Sequence, residues 1–260
     1  MTELTGIPTA ELQAWSFPFL LLLARIGAAL AVLPGIGESA PPPMLRVGLA
    51  LAITLLLLPI LGPLVPAVPD AGLQMAAMAM AEAVTGLWFG WLARLLALAL
   101  PMAAEFIAYL LGLSSVLQPD SSLGGQSTAL SKLFAIGAPL ILLISGLYTL
   151  PLTALVGLYQ VIPPGTLLPA ADGSAMAVKM VARIFALALG LASPFILAAI
   201  IWNTAIGLTA RLVPRIQIYF VAMPGQILGG LLLLAVLSSA LVSAWQVSVR
   251  GALEAMPGAG

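Results

Sequence analysis

Apolar residues run along this chain in six long blocks, at 17–33, 47–68, 73–117, 130–162, 175–213 and 216–249. Between them lie short breaks that carry Pro, Gly and the rare charges, among them PGIGESAPPP, GPLVPAVPDAG, PPGTLLPAADG and RLVPR. Punctuation of this kind marks reversals between regular segments. No block alternates apolar with polar residues at period two, which argues against a membrane β-barrel. The pattern predicts six helical blocks.

A membrane span takes about 20 helical residues. The third, fifth and sixth blocks exceed that, and the third is expected to protrude, break or fold back on itself. Pro101, Pro139, Pro151, Pro194 and Pro224 fall inside blocks, where each removes a helical hydrogen bond and is expected to kink or break the helix. The freed carbonyls then need neighbouring helices or a water-filled path.

Composition changes the picture from a large helical protein to a membrane one. The chain is 62% hydrophobic and 7% charged, against about 45–50% and about 25% for soluble domains. Lipid or partner subunits must cover such a surface. There is no His and no Cys, so metal-dependent and thiol catalysis are not expected, and neither is a bound cofactor or metal. Nine Lys and Arg balance nine Asp and Glu with no basic run, which excludes nucleic acid as a partner.

The N-terminal run FPFLLLLARIGAALAVLP has no basic flank before it; Glu3 and Glu11 precede it and Arg25 lies inside it. It is expected to be a retained first segment rather than a cleaved signal. PTAELQAW before it is expected to form a short interfacial helix with Thr9 as N-cap. Arg46, Lys132, Arg211 and Arg215 flank the odd connections and Asp70 and Asp172 the even ones, with Lys179 discordant. That distribution favours an N-out topology.

Four charges are singled out as intramembrane: Arg25 in the first block and Glu82, Arg94 and Glu105 in the third. Intramembrane charges mark pathways such as proton relays, or they pair between helices or subunits. Arg94 and Glu105 share a helix face but lie about 16 Å apart along the axis, too far to pair with each other. Gly86 and Gly90, and Gly225 and Gly229, stand four apart, a spacing that suits close helix contact. The Met residues of MAAMAM, 75–80, read as pliable packing.

One segment, GLSSVLQPDSSLGGQST at 112–128, is small and polar yet nearly uncharged. Its Gly, Ser and Pro content gives it little helix propensity and good turn-forming ability. It follows an apolar run that contains Glu105. A surface without large or charged side chains suits an unfolded chain sliding past.

The ordered set ARIGAALAVLPGIG, PPPMLRVGLALAITLLLLP, EAVTGLWFGWLARL, QPDSSLGGQS and RIQIYFVAMPGQILGGLLLL resembles the FliR family of flagellar biosynthetic proteins over roughly residues 17–240. The SctT proteins of type III secretion injectisomes are similar. The resemblance implies an all-α integral membrane protein whose Pro-kinked helices form hairpins in a larger hetero-oligomeric export gate of the bacterial inner membrane, at the flagellar basal body. Its implied partners are FliP, FliQ and FlhB subunits and the unfolded proteins that are exported. Residues 1–162 would be FliP-like, including the central loop, and 175–250 a FliQ-like hairpin joined at RLVPR. Pro224, Gly225 and Gly229 would serve helix packing or assembly with Gly86 and Gly90.

By the same resemblance the central loop would plug the closed pore. Its implied plug residues are Gly112, Leu113, Ser114, Ser115, Val116, Leu117, Gln118, Pro119, Asp120, Ser121, Ser122 and Gly124, with Leu113, Val116 and Leu117 as an apolar wedge. The sequence departs from the family at two places: Gln226 stands where a Lys is common, and Gln118, Pro119 and Asp120 stand where Val-Asp-Pro is common.

Two other readings stay open at this stage. A small-solute permease would also have broken helices and midplane charges, although the halves show no clear inverted repeat. An intramembrane enzyme would need a Ser with Lys or paired carboxylates, and Lys132 follows Ser131 directly rather than sharing its helix face. No GxxxxGK[ST] pattern is present, so nucleotide hydrolysis is expected elsewhere.

Overall fold

The computed structural model describes residues 9–38, 42–113, 127–212 and 218–259. Among the described residues there are seven α-helices and no strand: α1 Thr9–Val32, α2 Pro43–Leu61, α3 Gly72–Leu110, α4 Ala129–Ile144, α5 Thr149–Val161, α6 Ala170–Leu212 and α7 Ile218–Glu254. Pro43 occupies the first turn of α2, where its missing N–H has no intrahelical role. A 3₁₀ turn, Gly62–Leu64, extends α2.

Three sequence expectations change. The fourth block, 130–162, is not one helix but α4 and α5, bent by 73° across 145–148. The break lies at Gly146, whose φ of +73° puts it in the left-handed region that glycine adopts without penalty. Its carbonyl accepts the Thr149 amide and hydroxyl. Pro151 therefore sits in the first turn of α5, where it starts a helix rather than kinking one. The third block holds a single 39-residue helix that runs through Pro101 to Leu110, with 114–117 outside the described residues. Thr9–Trp15 form the start of α1, continuous with the first apolar block, and not a separate interfacial helix.

The chain divides into two compact units. The first comprises Met1–Arg94, Ser145–Lys179 and Ala252–Gly260. Its core holds Leu21, Leu22, Ile26, Leu30, Phe89 and Tyr159, all nearly inaccessible. The second comprises Leu95–Ile144 and Met180–Gly251, around buried Leu96, Ile107, Phe195 and Trp245.

Five helices are long and apolar enough to cross a membrane, or six if α4 and α5 form one bent span. Their outward faces are apolar too: Leu56 and Ile60 on α2 and Phe220, Leu228, Leu232 and Val236 on α7 are widely exposed. A soluble helix turns charged residues outward. The protein is an all-α membrane protein.

Candidate gate and packing sites

Arg25 and Glu82, 57 residues apart in sequence, meet in the core of the first unit. Arg25 Nε donates to Glu82 Oε2 at 2.7 Å and Nη2 to Oε1 at 2.8 Å, with both side chains inaccessible to solvent. The pair is not isolated from the backbone. Arg25 Nη1 donates to the Ile162 carbonyl at 2.9 Å, and Glu82 Oε1 accepts the Gly165 amide at 2.7 Å. Ile162 is the C-cap residue of α5, so the guanidinium lies where a helix end favours positive charge. The Tyr159 ring lies against the guanidinium, 4.2 Å from ring centroid to Arg25 Cζ. Its hydroxyl is buried without a hydrogen-bond partner.

Glu82, Gly86 and Gly90 repeat at intervals of four and so share one face of α3. A Cβ on Gly86 would overlap the Arg25 carbonyl oxygen, and one on Gly90 would lie 2.5 Å from that of Ala29. The contacts ascend together in both helices, so α1 and α3 run side by side in one direction. Two glycines remove the side chains that would hold the helices apart, and the close approach lets the charged pair form a short two-pronged contact.

Arg94 and Glu105 go to separate partners. Arg94 Nη2 reaches Glu38 Oε2 at 3.4 Å in a pair about one-third exposed, and Arg46 donates to the Glu38 carbonyl. Glu105 accepts the Thr128 hydroxyl at 3.0 Å and the Thr128 amide at 3.2 Å. The Thr128 hydroxyl oxygen in turn accepts the Ser131 amide, which makes Thr128 the N-cap of α4. In a capping box the acidic residue that returns to the cap amide comes from the helix itself. Here Glu105 supplies it from α3. Ser131 Oγ adds a bond to the Pro101 carbonyl at 3.0 Å.

At the C-terminal residue of α3, Gln226 Nε2 donates to the Leu110 carbonyl at 2.8 Å. Pro224 lies inside α7. A Cβ on Gly225 would be 3.2 Å from the Trp202 ring, while Gly229 has nothing within 4 Å. Gly230, which the four-residue spacing did not single out, packs so tightly on Leu111 that a Cβ would overlap its side chain. Gly225, Gln226, Gly229 and Gly230 line a small apolar cavity of about 90 Å³ with Leu110, Leu111 and Trp202.

Of the central segment, Gly112 has a φ of +71° and Leu113 is buried. Ser114, Ser115, Val116, Leu117, Gln118, Pro119, Asp120, Ser121, Ser122 and Gly124 lie outside the described residues. Among the described residues no three Asp or Glu side chains gather as metal ligands.

Sequence reasoning did not find Tyr159, Glu38, Thr128 or Gly230. Thr128 had a local signal, a Thr immediately before the apolar run ALSKLF. Tyr159 and Glu38 had none, because their partners lie far along the chain.

The model of bacterial export proteins, family 1, matches residues 16–252. The flagellar biosynthetic protein FliR of Caulobacter vibrioides is 32% identical over 234 residues, 90% of this chain and 93% of that protein. FliR of Bacillus subtilis is 25% identical over 227 residues, 86% of this chain and 87% of its own length. FliR of Escherichia coli is 26% identical over 228 residues, covering 87% and 84%. Family match and near full-length similarity, on an all-α membrane fold, lead to one assignment: the chain belongs to the bacterial export proteins of family 1 and to the FliR family of flagellar biosynthetic proteins, and it serves flagellar export.

Proposed function

We propose that the chain is a core subunit of the flagellar protein export gate in the bacterial inner membrane, forming part of the channel through which unfolded substrates cross. It works there with FliP, FliQ and FlhB type subunits. Residues 1–162 act as the FliP-like part and 175–250 as the FliQ-like hairpin. The observation that carries this reading is family membership combined with the length of uncovered apolar helix. α6 has 43 residues and α7 has 37, about 64 and 55 Å long, while the hydrocarbon core of a bilayer is about 30 Å thick. Only 11% of the most apolar window of α7 is buried within the chain. Lipid can cover about half of such a helix, so protein subunits cover the rest.

Residues 112–128 act in this reading as the reversible plug of the closed channel. The support is compositional, from mostly small side chains with a single charge, Asp120, together with the anchoring of the flanks: Leu113 is buried and Thr128 is bonded to Glu105. The test has two arms. Purification in mild detergent should yield a large stoichiometric assembly with other short membrane subunits; a stable monodisperse monomer would count against the gate. Deletion of 114–124 should leave that assembly intact while making cells leak ions. An assembled deletion with a tight membrane and continued export would remove the plug.

A further inference from the structure

We infer that the Arg25–Glu82 pair is a polarity-locked clamp on the turn that follows α5. The argument rests on what each charge meets besides its partner. Arg25 donates to a carbonyl, that of Ile162, and Glu82 accepts from an amide, that of Gly165. Backbone polarity cannot be exchanged. With the two side chains swapped, a carboxylate would face the Ile162 carbonyl and a guanidinium would face the Gly165 N–H, so acceptor would meet acceptor and donor would meet donor. An ion pair joined only to itself would tolerate the swap.

The clamp closes the whole turn. Ile162 and Gly165 bracket Pro163 and Pro164, two residues without amide hydrogens. The local bonds in the turn are those that the Thr166 amide and hydroxyl donate to the Pro163 carbonyl. Gly165 takes a φ of +80° and meets the Met78 side chain, one turn before Glu82 on α3. The two bonds from the charged pair are what tie this short Pro-Pro-Gly reversal to α1 and α3. A buried pair whose partners are removed together is often replaced without loss by apolar side chains. Here the replacement would also strand a carbonyl and an amide, so it should fail.

The test uses the full chain in its native membrane assembly, solubilised in mild detergent. Hydrogen exchange is followed by mass spectrometry on the peptide spanning 162–168, whose Pro residues leave few amides besides Gly165, and soft-agar swimming is scored in parallel. Glu82→Gln keeps an oxygen for the Gly165 amide but sets its NH2 against an Arg25 N–H, so it should expose the turn less than the apolar pair does. The swap of Arg25→Glu with Glu82→Arg, and the apolar pair Arg25→Met with Glu82→Leu, should both exchange faster by on the order of tenfold or more and lose assembly. Three results would overturn the clamp: a swap variant with normal protection, an apolar pair with normal protection, or a Glu82→Gln variant that exposes the turn as much as the apolar pair does.

Discussion

Gly86 on α3 lies so close to the main-chain carbonyl of Arg25 on α1 that a Cβ would overlap the oxygen. Backbone cannot swing aside as a long side chain does, so Gly86→Ala must move one helix. Overpacking of this kind costs about 1–3 kcal/mol. The expected result is a lower thermal midpoint and a lower yield of the assembled complex. Gly137→Ala is the control: that residue also lies in a helix, with nothing within 4 Å, so the added methyl should stabilise by about 0.5–1 kcal/mol. Equal behaviour of the two variants would show that the α1–α3 seam accommodates a wider spacing.

Tyr159 gives a prediction of opposite sign. Its ring packs on Arg25 but its buried hydroxyl has no hydrogen-bond partner, and an unsatisfied buried polar group costs about 1–3 kcal/mol. Tyr159→Phe keeps the aromatic face and removes the orphan. Thermal unfolding of the detergent-solubilised assembly should be unchanged or shifted upward. A clear loss of stability would reveal an ordered water or subunit group bonded to that hydroxyl.

Glu105 and Thr128 should behave as a coupled pair. Thr128→Ala removes an N-cap, about 1 kcal/mol, and Glu105→Ala leaves the Thr128 amide without its carboxylate. Because both act on the first turn of α4, the double variant should lose less than the sum of the two, with a coupling of about 0.5–1 kcal/mol. Exchange at the amides of 129–132 reports on that turn directly. Additive losses would mean that the two residues stabilise different parts of the fold.

The helices were legible where the apolar pattern is long and uninterrupted. α6 and α7 follow it to within about five residues at each end, since continuous apolar sequence in a lipid setting leaves the backbone no alternative to helix. The break between α4 and α5 was not legible. Gly137 and Gly146 sit in the same apolar block, yet one is helical and the other takes a φ of +73°, a choice made by surrounding packing rather than by residue type. Pro139 and Pro151 pose the same problem, one inside α4 and one in the first turn of α5.

The charges show a second limit. Arg25, Glu82, Arg94 and Glu105 could be singled out because ionisable groups are rare in apolar blocks. Their partners could not, since Arg25 with Glu82 and Arg94 with Glu38 depend on the register of α1 against α3. That register follows from the overlap of Gly86 and Gly90 with the α1 backbone. Glu82, Gly86 and Gly90 on one face is a pattern the sequence does contain, and it reads as a polar anchor beside a close-packing stripe.

Gln226 carries the last prediction. Its amide nitrogen donates to the carbonyl of Leu110, the final residue of α3, where helix-end carbonyls lack intrahelical partners and favour donors or positive charge. Gln226→Lys keeps a long side chain with a donor at its tip, so assembly and swimming should be close to normal. Gln226→Leu keeps the bulk and removes the donor. It should destabilise by about 0.5–1.5 kcal/mol, the net contribution of an ordinary hydrogen bond in this part-buried setting, and raise hydrogen exchange in the last turn of α3 more than elsewhere. Gln226→Glu separates charge from shape: its carboxylate would face a carbonyl oxygen, so it should be at least as damaging as Leu. If all three variants hold the end of α3 equally well, the bond from Gln226 contributes nothing, and the tight seat of Leu111 against Gly230 is what secures that turn.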